Sequence, residues 1–124
     1  MGEGRKKIII VDDNITNLDI GRSILSEFYQ VIPAPSAEKM LMILERIIPD
    51  LILLDIEMPD MNGYEAIKRL KADPRFSAIP VIFLTAKRDA ANEREGMRLG
   101  AADYIIKPFV PADLRKSIEE NLAR

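Results

Sequence analysis

The chain has 124 residues, of which 48% are hydrophobic and 31% charged, and this length and composition fit one domain with its own core. It contains no Cys and no His, which excludes disulfides, thiolate metal sites, histidine bases and a phosphohistidine made on this chain. The net charge of −2, the lack of a basic stripe and the absence of a membrane-spanning run or signal peptide predict a cytoplasmic protein that does not bind nucleic acid directly.

The predicted folded unit begins after a short leader. Residues 1–6 are expected to be flexible, so that the domain covers residues 7–124. The β-branched run Lys7-Ile8-Ile9-Ile10-Val11 predicts a buried strand that ends at Asp12 and Asp13. Asn14 or a neighbour can cap the next helix, whose apolar residues recur at helical spacing: Leu18, Gly21, Leu25 and Phe28.

A proline marks the second predicted strand as an edge. The strand-like run Tyr29-Gln30-Val31-Ile32 is followed by Pro33, which cannot donate to a β-ladder. We therefore expect this strand at the edge of the sheet, with the first strand inside it. A helix opens at Ser36-Ala37-Glu38-Lys39, and its broad apolar face consists of Met40, Leu41, Ile43, Leu44 and Ile47.

The third predicted strand carries the central acidic residue. Leu51-Ile52-Leu53-Leu54 is apolar on both faces, which is typical of a parallel sheet covered by helices, and Asp55 ends the run. Open α/β folds bind ligands at this carboxyl edge. The turn formers in Met58-Pro59-Asp60-Met61-Asn62-Gly63 predict that the Asp55 carboxylate lies on a loop rim open to water. A lone Asp after a strand is more often a turn starter or helix cap, so Asp55 needs support from other residues.

The remaining elements continue the alternation of strands and helices. A helix after Gly63 ends near Asp73-Pro74, and the apolar strand Val81-Ile82-Phe83-Leu84-Thr85 follows. The helix from Ala90 to Leu99 has a weak apolar stripe and is expected to be loosely anchored. The last strand, residues 102–106, ends at Lys107-Pro108, and the final helix starts at Pro111. Five alternating pairs with short connections predict one parallel sheet with helices on both faces.

Polar residues follow four of the five predicted strands. Because parallel strands end at the same edge, these residues should meet: Asp12, Asp13, Asp55, Thr85 and Lys107. Clustered carboxylates repel one another, so a hard cation such as Mg²⁺ is expected among them. A hydroxyl and an ammonium at the same point favour an oxygen-rich anion such as a phosphoryl group. Asp55 would then be a nucleophile that forms an aspartyl phosphate.

These motifs resemble the receiver domains of two-component response regulators. The resemblance runs from about Lys7 to the end of the chain, and its five pieces are specific in this order and spacing: Val11-Asp12-Asp13-Asn14, Leu53 to Gly63, Leu84-Thr85-Ala86, Gly100-Ala101-Ala102-Asp103-Tyr104 and Lys107-Pro108-Phe109. The family implies a flavodoxin-like (βα)5 doubly wound, five-stranded parallel sheet with strand order 2-1-3-4-5. This order agrees with the edge position predicted from Pro33.

The resemblance also assigns a role to each matching residue. Asp55 is implied to be the phosphoacceptor, and Asp13 a direct Mg²⁺ ligand that Asp12 assists through water. The remaining implied roles are the Glu57 carbonyl as a metal ligand, Thr85 and Lys107 as phosphoryl contacts, Thr85 and Tyr104 as switch residues, and Glu57 and Lys87 as residues that tune hydrolysis. A cis Lys107-Pro108 bond is also implied.

Function and partners are expected from the same resemblance. The donor would be the phosphohistidine of a sensor histidine kinase or a histidine phosphotransfer protein, and Asp55 would be phosphorylated and dephosphorylated by the domain's own chemistry, without conventional enzymatic turnover. The fourth helix, fifth strand and fifth helix would form the signalling face, which binds a downstream protein or output domain or forms a homodimer on phosphorylation. Whether the receiver stands alone or belongs to a longer regulator or hybrid kinase stays open.

Other functions fit the sequence less well. A dinucleotide-binding enzyme needs a Gly-rich turn where this chain has Asp12-Asp13-Asn14, which would repel a pyrophosphate. A haloacid-dehalogenase-type hydrolase would carry its nucleophile after the first strand in an Asp-x-Asp pattern, which Asp12-Asp13-Asn14 lacks. The main alternative is a receiver-like module that binds partners independently of phosphorylation. Such a module would usually have lost Asp13, Asp55 or Lys107, and all three are present.

Overall fold

Five strands alternate with five helices within residues 4–86 and 90–123, which the computed structural model describes. The strands are β1 (Lys7–Val11), β2 (Gln30–Ala34), β3 (Leu51–Asp55), β4 (Val81–Thr85) and β5 (Asp103–Ile106). The helices are α1 (Ile15–Leu25), α2 (Ala37–Leu44), α3 (Gly63–Ala72), α4 (Ala90–Arg98) and α5 (Pro111–Leu122). Among the helices in these two ranges, each is too short or too polar to cross a bilayer.

The strands form one parallel sheet in the order β2-β1-β3-β4-β5. This confirms the predicted flavodoxin-like topology. Pro33 lies in the edge strand β2, opposite Ile10 of β1, so the predicted edge position is correct. The strand itself runs to Ala34 and includes the proline, whereas the sequence pattern predicted an end at Ile32. An edge strand tolerates proline because one side of its backbone has no neighbouring strand to pair with.

The sheet is covered by helices on both faces. The buried residues of β1, β3 and β4 alternate between two clusters, which explains why each strand is a continuous aliphatic run. One cluster lies under α2 and α3 and includes Val11, Leu54 and Phe83. The other lies under α1 and α5 and includes Ile10 and Leu53. The sheet is therefore a rigid platform whose carboxyl edge carries the polar residues.

Side-chain caps fix the helices that follow the sheet edge. The Asn14 side chain accepts a hydrogen bond from the Asn17 backbone N–H at the start of α1, as the sequence predicted. At the start of α3, Asn62 and Glu65 each accept a hydrogen bond from the other's backbone N–H and form a capping box. Both caps lie directly after loops that carry acidic residues, so they help to hold those loops in place.

Two apolar residues predicted to lie in helices lie beyond the helix ends. Phe28 was expected on the buried stripe of α1, but α1 ends at Leu25 and Phe28 is 45% exposed. Its ring packs under the guanidinium of Arg115, 5.4 Å away, instead of in the core. Ile47 was expected on α2, which ends at Leu44. In both cases helical spacing continued by chance into the turn that follows the helix.

The end of the predicted leader contacts the domain. Arg5 donates a hydrogen bond to the Ser26 backbone carbonyl, and the Lys6 carbonyl accepts one from the Gln30 N–H. The described fold thus includes ordered contacts from Arg5 onward. The domain boundaries at residues 6 and 7 stay a prediction.

Candidate functional site

Three carboxylates converge at the carboxyl edge of the sheet. β1 and β3 are neighbours, so Asp12, directly after β1, lies beside Asp55 at the end of β3. Asp12 is fully buried, whereas Asp13 faces solvent. Asp55 was expected on a rim open to water, but it is the last residue of β3 and is only 2% exposed, because its carboxylate lies against Lys107 and Asp12. One carboxylate oxygen from each of the three lies within 4.8 Å of the others. The structure thus brings together the acidic residues that sequence reasoning placed at one edge.

Lys107 joins this acidic group from across the sheet. It follows β5, which is separated from β3 by β4, and its side chain reaches over the end of β4. The Nζ atom lies 3.1 Å from Asp12 Oδ2 and 3.1 Å from Asp55 Oδ1, and donates a hydrogen bond to each. The backbone N–H of Lys107 is also fixed, since it donates to the Thr85 carbonyl at 2.7 Å. The Lys107-Pro108 peptide bond is cis, as the family resemblance implied.

Burial and neighbouring charges shift the titration of the two central groups. Burial and, to a smaller extent, the negative charge of Asp12 raise the pKa of Asp55 from 3.8 to about 6, even though Lys107 acts in the opposite direction. Burial lowers the pKa of Lys107, but its contacts with Asp55 and Asp12 outweigh burial and leave that pKa raised. Near pH 7, about one unit above its pKa, Asp55 is mainly an ionised carboxylate beside a charged ammonium.

The loop after β3 is held in place by buried and backbone contacts. The side chains of Met58 and Met61 are almost fully buried in the core under α3. Between them, Pro59 precedes Asp60, which has a φ of +67°. Proline followed by a residue with positive φ is the pattern of a type II turn, and Asp is one of the few non-glycine residues that tolerate it. The loop therefore presents Glu57 to solvent from a fixed backbone.

Gly63 allows the start of α3 to pack closely against the backbone of Asp55, a role that sequence reasoning missed. Its N–H donates a 2.8 Å hydrogen bond to the Ile56 carbonyl. A Cβ atom at Gly63 would lie 2.6 Å from the Asp55 backbone oxygen and 2.8 Å from the Ile56 Cα, closer than real side chains come. A glycine at the first position of a helix directly after a site loop was the available signal.

Thr85 and Tyr104 lie on the same face of the sheet. Thr85 ends β4 and is buried, and Phe83, two residues earlier, points to the same face by strand alternation. Tyr104 of β5 lies directly opposite Phe83, with their rings edge to face at 6.0 Å between centroids. The predicted switch residues are thus linked through Phe83. Of the predicted rate-tuning pair, Glu57 is exposed and Lys87 lies outside the described residues.

The donor set of this site fits a magnesium ion. Asp12, Asp13 and Asp55 offer only carboxylate oxygens, the ligand type that Mg²⁺ prefers, and one of the three is open to water. Lys107 supplies one positive charge against three negative ones, so an uncompensated negative charge remains. A divalent cation would neutralise that charge while keeping several of its own waters.

Fold and site together define a class of protein: a flavodoxin-like α/β domain with a cluster of carboxylates at the carboxyl ends of β1 and β3. The family profile described as "Response regulator receiver domain" matches residues 8–119. The chain belongs to this family and is a receiver domain. Sequence reasoning identified the same family, and the profile confirms it.

Individual relatives agree with this assignment. The chain is 41% identical, over 93% of its length and 26% of the other protein's, to a probable cyclic di-GMP phosphodiesterase of Vibrio cholerae. A putative response regulator from Chloroflexus aurantiacus superposes with a TM-score of 0.92 at 32% identity, covering 97% of this chain and 99% of that one. The receiver domain of a sensor histidine kinase from Pseudomonas aeruginosa, with magnesium in its active-site cleft, gives 0.88 at 26% identity, covering 97% and 99%.

The curated relatives are longer than this chain. The chain spans 26% of the Vibrio protein and about half of the other curated relatives that it matches. Receiver domains of both response regulators and histidine kinases are among the similar structures.

Proposed function

We propose that Asp55 accepts a phosphoryl group from the phosphohistidine of a sensor histidine kinase or a histidine phosphotransfer protein. The observation that carries this proposal is the convergence of three carboxylates with the Lys107 ammonium around one buried acceptor. Asp55 and Asp12 both accept a hydrogen bond from Lys107 and lie beside the other acids, and Asp55 has the carboxylate whose pKa is clearly raised. Asp13 is exposed, and the family resemblance assigns the acceptor role to Asp55, with Asp12 as a residue that assists the metal.

Magnesium is the expected cofactor of this reaction. Asp12, Asp13 and Asp55 would hold it through carboxylate oxygens, with the backbone carbonyl of Glu57 as a further ligand implied by the family. When bound, the ion supplies positive charge that neutralises phosphoryl oxygens and screens the three acids from one another. The acidic donor set and the absence of His and Cys from the chain support an oxygen-liganded ion.

Asp55, Lys107 and Thr85 would each have a separate role in the transfer step. An Asp55 oxygen attacks phosphorus while the bond from phosphorus to the donor's histidine nitrogen breaks, and the imidazole leaves with the electron pair. The Lys107 Nζ, 3.1 Å from Asp55, is positioned to move onto a phosphoryl oxygen as charge builds there. The Thr85 hydroxyl at the end of β4 would bind a second phosphoryl oxygen.

Phosphorylation would then switch the face formed by α4, β5 and α5. The new group adds about 1.5 to 2 negative charges at neutral pH, which would draw the Thr85 hydroxyl inward. Tyr104, linked to Thr85 through Phe83, would turn into the vacated space, and α4 would shift with it. This face would be the surface for a downstream protein, an output domain or a second copy of the domain. A cytoplasmic location, where a phosphodonor is available, belongs to the same proposal.

Labelling with a small phosphodonor tests the acceptor. Wild-type protein incubated with acetyl phosphate and Mg²⁺ should gain one phosphoryl group by intact mass, and Asp55→Asn should gain none. Asp60→Asn is the matched control, because it makes the same chemical change on an exposed loop residue whose positive φ asparagine also tolerates. Native-rate labelling of Asp55→Asn would overturn the assignment, and wild type without Mg²⁺-dependent labelling would favour the binding-only module.

A further inference from the structure

Three aromatic rings form a row beneath α4. Tyr64 of α3 lies edge to face with Phe83 of β4 at 5.5 Å, and Phe83 lies edge to face with Tyr104 of β5 at 6.0 Å. Such pairs stabilise beyond the area they bury. We call these three residues the aromatic row. It connects α3, the strand that ends at Thr85, and the strand that carries Tyr104.

α4 packs against the aromatic row at Gly96, where no side chain separates the helix backbone from the rings. A Cβ atom at Gly96 would lie 2.9 Å from the Phe83 ring and 3.0 Å from the Tyr104 ring, so the helix backbone touches both. Among residues 91–98, Gly96 is the one that is buried, whereas Met97 and Arg98 are exposed. A helix that buries so little apolar side chain depends on a few specific contacts for its position.

One of these contacts is a hydrogen bond from outside the helix. The Tyr64 hydroxyl donates to the backbone carbonyl of Asn92 at 3.3 Å, in a partly buried setting. Asn92 lies in the first turn of α4, close to the segment that joins the helix to Thr85. The bond therefore ties α3, at the end of the aromatic row, to the part of α4 nearest the site.

We propose that the Tyr64 hydroxyl restrains α4 in the unphosphorylated arrangement and thereby sets how readily the site takes up a phosphoryl group. Tyr64 is a positioning residue in this proposal, since it acts through Asn92 and α4 and touches no reacting atom. The proposal rests on the proposed function, because it assumes that α4 shifts when Asp55 is phosphorylated. A shift of α4 away from its present seat would break the bond from Tyr64 to Asn92.

Thermodynamic linkage predicts whether loss of the Tyr64 hydroxyl strengthens or weakens binding of a phosphoryl analogue. A contact made in only the resting state favours that state, and its removal favours the state that binds the phosphoryl group. Removing the hydroxyl should therefore tighten binding of a phosphoryl analogue by about two- to fivefold, the low end for one hydrogen bond, because 3.3 Å is long. A hydroxyl that merely stabilised the fold in both states would leave this affinity unchanged.

The variant Tyr64→Phe tests the restraint, since it removes the hydroxyl and keeps the ring against Phe83. The matched control is Tyr29→Phe, which removes the hydroxyl of a half-buried tyrosine packed on the opposite face of the sheet. Two measurements apply to each protein: amide hydrogen exchange without phosphodonor, and NMR titration with beryllofluoride at saturating Mg²⁺. The thermal midpoint monitors the global fold.

In Tyr64→Phe we expect faster exchange in α4, unchanged exchange in β1 and β3, and a beryllofluoride midpoint lowered by about two- to fivefold. Tyr29→Phe should match the wild type in α4 exchange and in affinity. Unchanged affinity in Tyr64→Phe would overturn the proposal, whether or not α4 exchange increases. Wild-type protein that fails to respond to beryllofluoride would instead overturn the proposed function, and the coupling with it.

Discussion

At the scale of single residues, Lys107 explains how three acids share one site. Its ammonium lies 3.1 Å from both Asp12 and Asp55, and the Lys107 side chain is only 13% exposed. Buried ionised groups are tolerated when they are paired and hydrogen-bonded, and Asp12 also accepts a hydrogen bond from the Asn14 N–H. The pairing is incomplete, because one ammonium faces three carboxylates. The site is therefore destabilised by its own charge until a cation or a proton arrives.

The titration of Asp55 gives a pH-dependent prediction. Its folded-state pKa of about 6 exceeds the ordinary 3.8, so the folded protein holds the proton more tightly than the unfolded chain. Asp55 thus contributes stability that is fully present below about pH 3.8 and is lost as the pH rises through about 6. Without metal, Asp55→Asn should raise the thermal midpoint relative to wild type, and by a few degrees more near pH 8 than near pH 5.

Thermal melts in chelator at the two pH values measure this difference, with Asp60→Asn as the exposed control. Saturating Mg²⁺ should stabilise the wild type more than Asp55→Asn and so reduce the gap, since a ligand present at 100 times its Kd contributes about 2.7 kcal/mol. A midpoint difference that is equal at both pH values would show that Asp55 carries no raised pKa.

Glu57 and Lys87 give a second prediction at this scale. By family resemblance they flank the path of the water that hydrolyses the phosphoryl group, and Glu57 is exposed on the loop after β3. An ion pair at a protein surface contributes up to about 1 kcal/mol, which corresponds to about fivefold in a rate. We expect Glu57→Ala and Lys87→Ala each to change autodephosphorylation severalfold and the double variant to be non-additive. Strictly additive effects, measured with saturating Mg²⁺, would leave the two side chains with independent roles.

At the scale of elements, the loop from β3 to α3 is the part of the site most sensitive to backbone change. Gly63→Ala would place a Cβ 2.6 Å from the Asp55 carbonyl oxygen, so the loop or the start of α3 must move. We expect a loss of about 1 to 3 kcal/mol in the free energy of unfolding, typical of overpacking, together with slower labelling by acetyl phosphate. Urea unfolding and intact mass spectrometry measure the two effects.

The matched control is Gly4→Ala, the same substitution where the added Cβ meets nothing within 4 Å. It should leave stability and labelling close to wild type. If Gly63→Ala also behaved as wild type, the close approach of α3 to the acceptor loop would have no influence on the site.

Sequence reasoning was most successful where one residue type imposes one geometry. Pro33 predicted an edge strand because it lacks an N–H, and the acids and lysine at the strand ends predicted a common site because parallel strands end together. It failed for Phe28 and Ile47, where helical spacing continued past the helix end. The bond from Tyr64 to Asn92 was not predictable, since it joins a side chain to a backbone atom 28 residues away and depends on how α3 and α4 pack.

At the scale of the whole molecule, the polar residues at the sheet edge fall on two different faces of the sheet. Ile10, Leu53 and Ile105 lie in the cluster under α1 and α5, and by strand alternation Asp12, Asp55 and Lys107, two positions later, are on the same face of the sheet. Thr85, Phe83 and Tyr104 belong to the other face, which carries α4. A phosphoryl group at the edge can contact residues of both faces. Under the proposed function, a phosphoryl group at Asp55 would act on the surface around α4 through β4 and β5.

A shift map tests that transmission. With Mg²⁺ and beryllofluoride, we expect NMR shift changes at the site, at Thr85 and Tyr104, and along α4, β5 and the start of α5, with little change in β2 and α2. The reason is that β2 lies at the opposite end of the sheet from β5. Changes confined to the residues around Asp55, with Thr85, Tyr104 and α4 unaffected, would contradict the switch.

The edge strand β2 also affects how the sheet can pair with strands of other chains. An edge strand offers a row of backbone donors and acceptors onto which a foreign strand can add. In β2 that row is interrupted near its centre, because Pro33 has no N–H to offer. A second sheet added there would lose a ladder bond, which disfavours end-to-end polymerisation on this side. Even at high concentration, pairing between the β2 strands of two copies of the domain is therefore disfavoured.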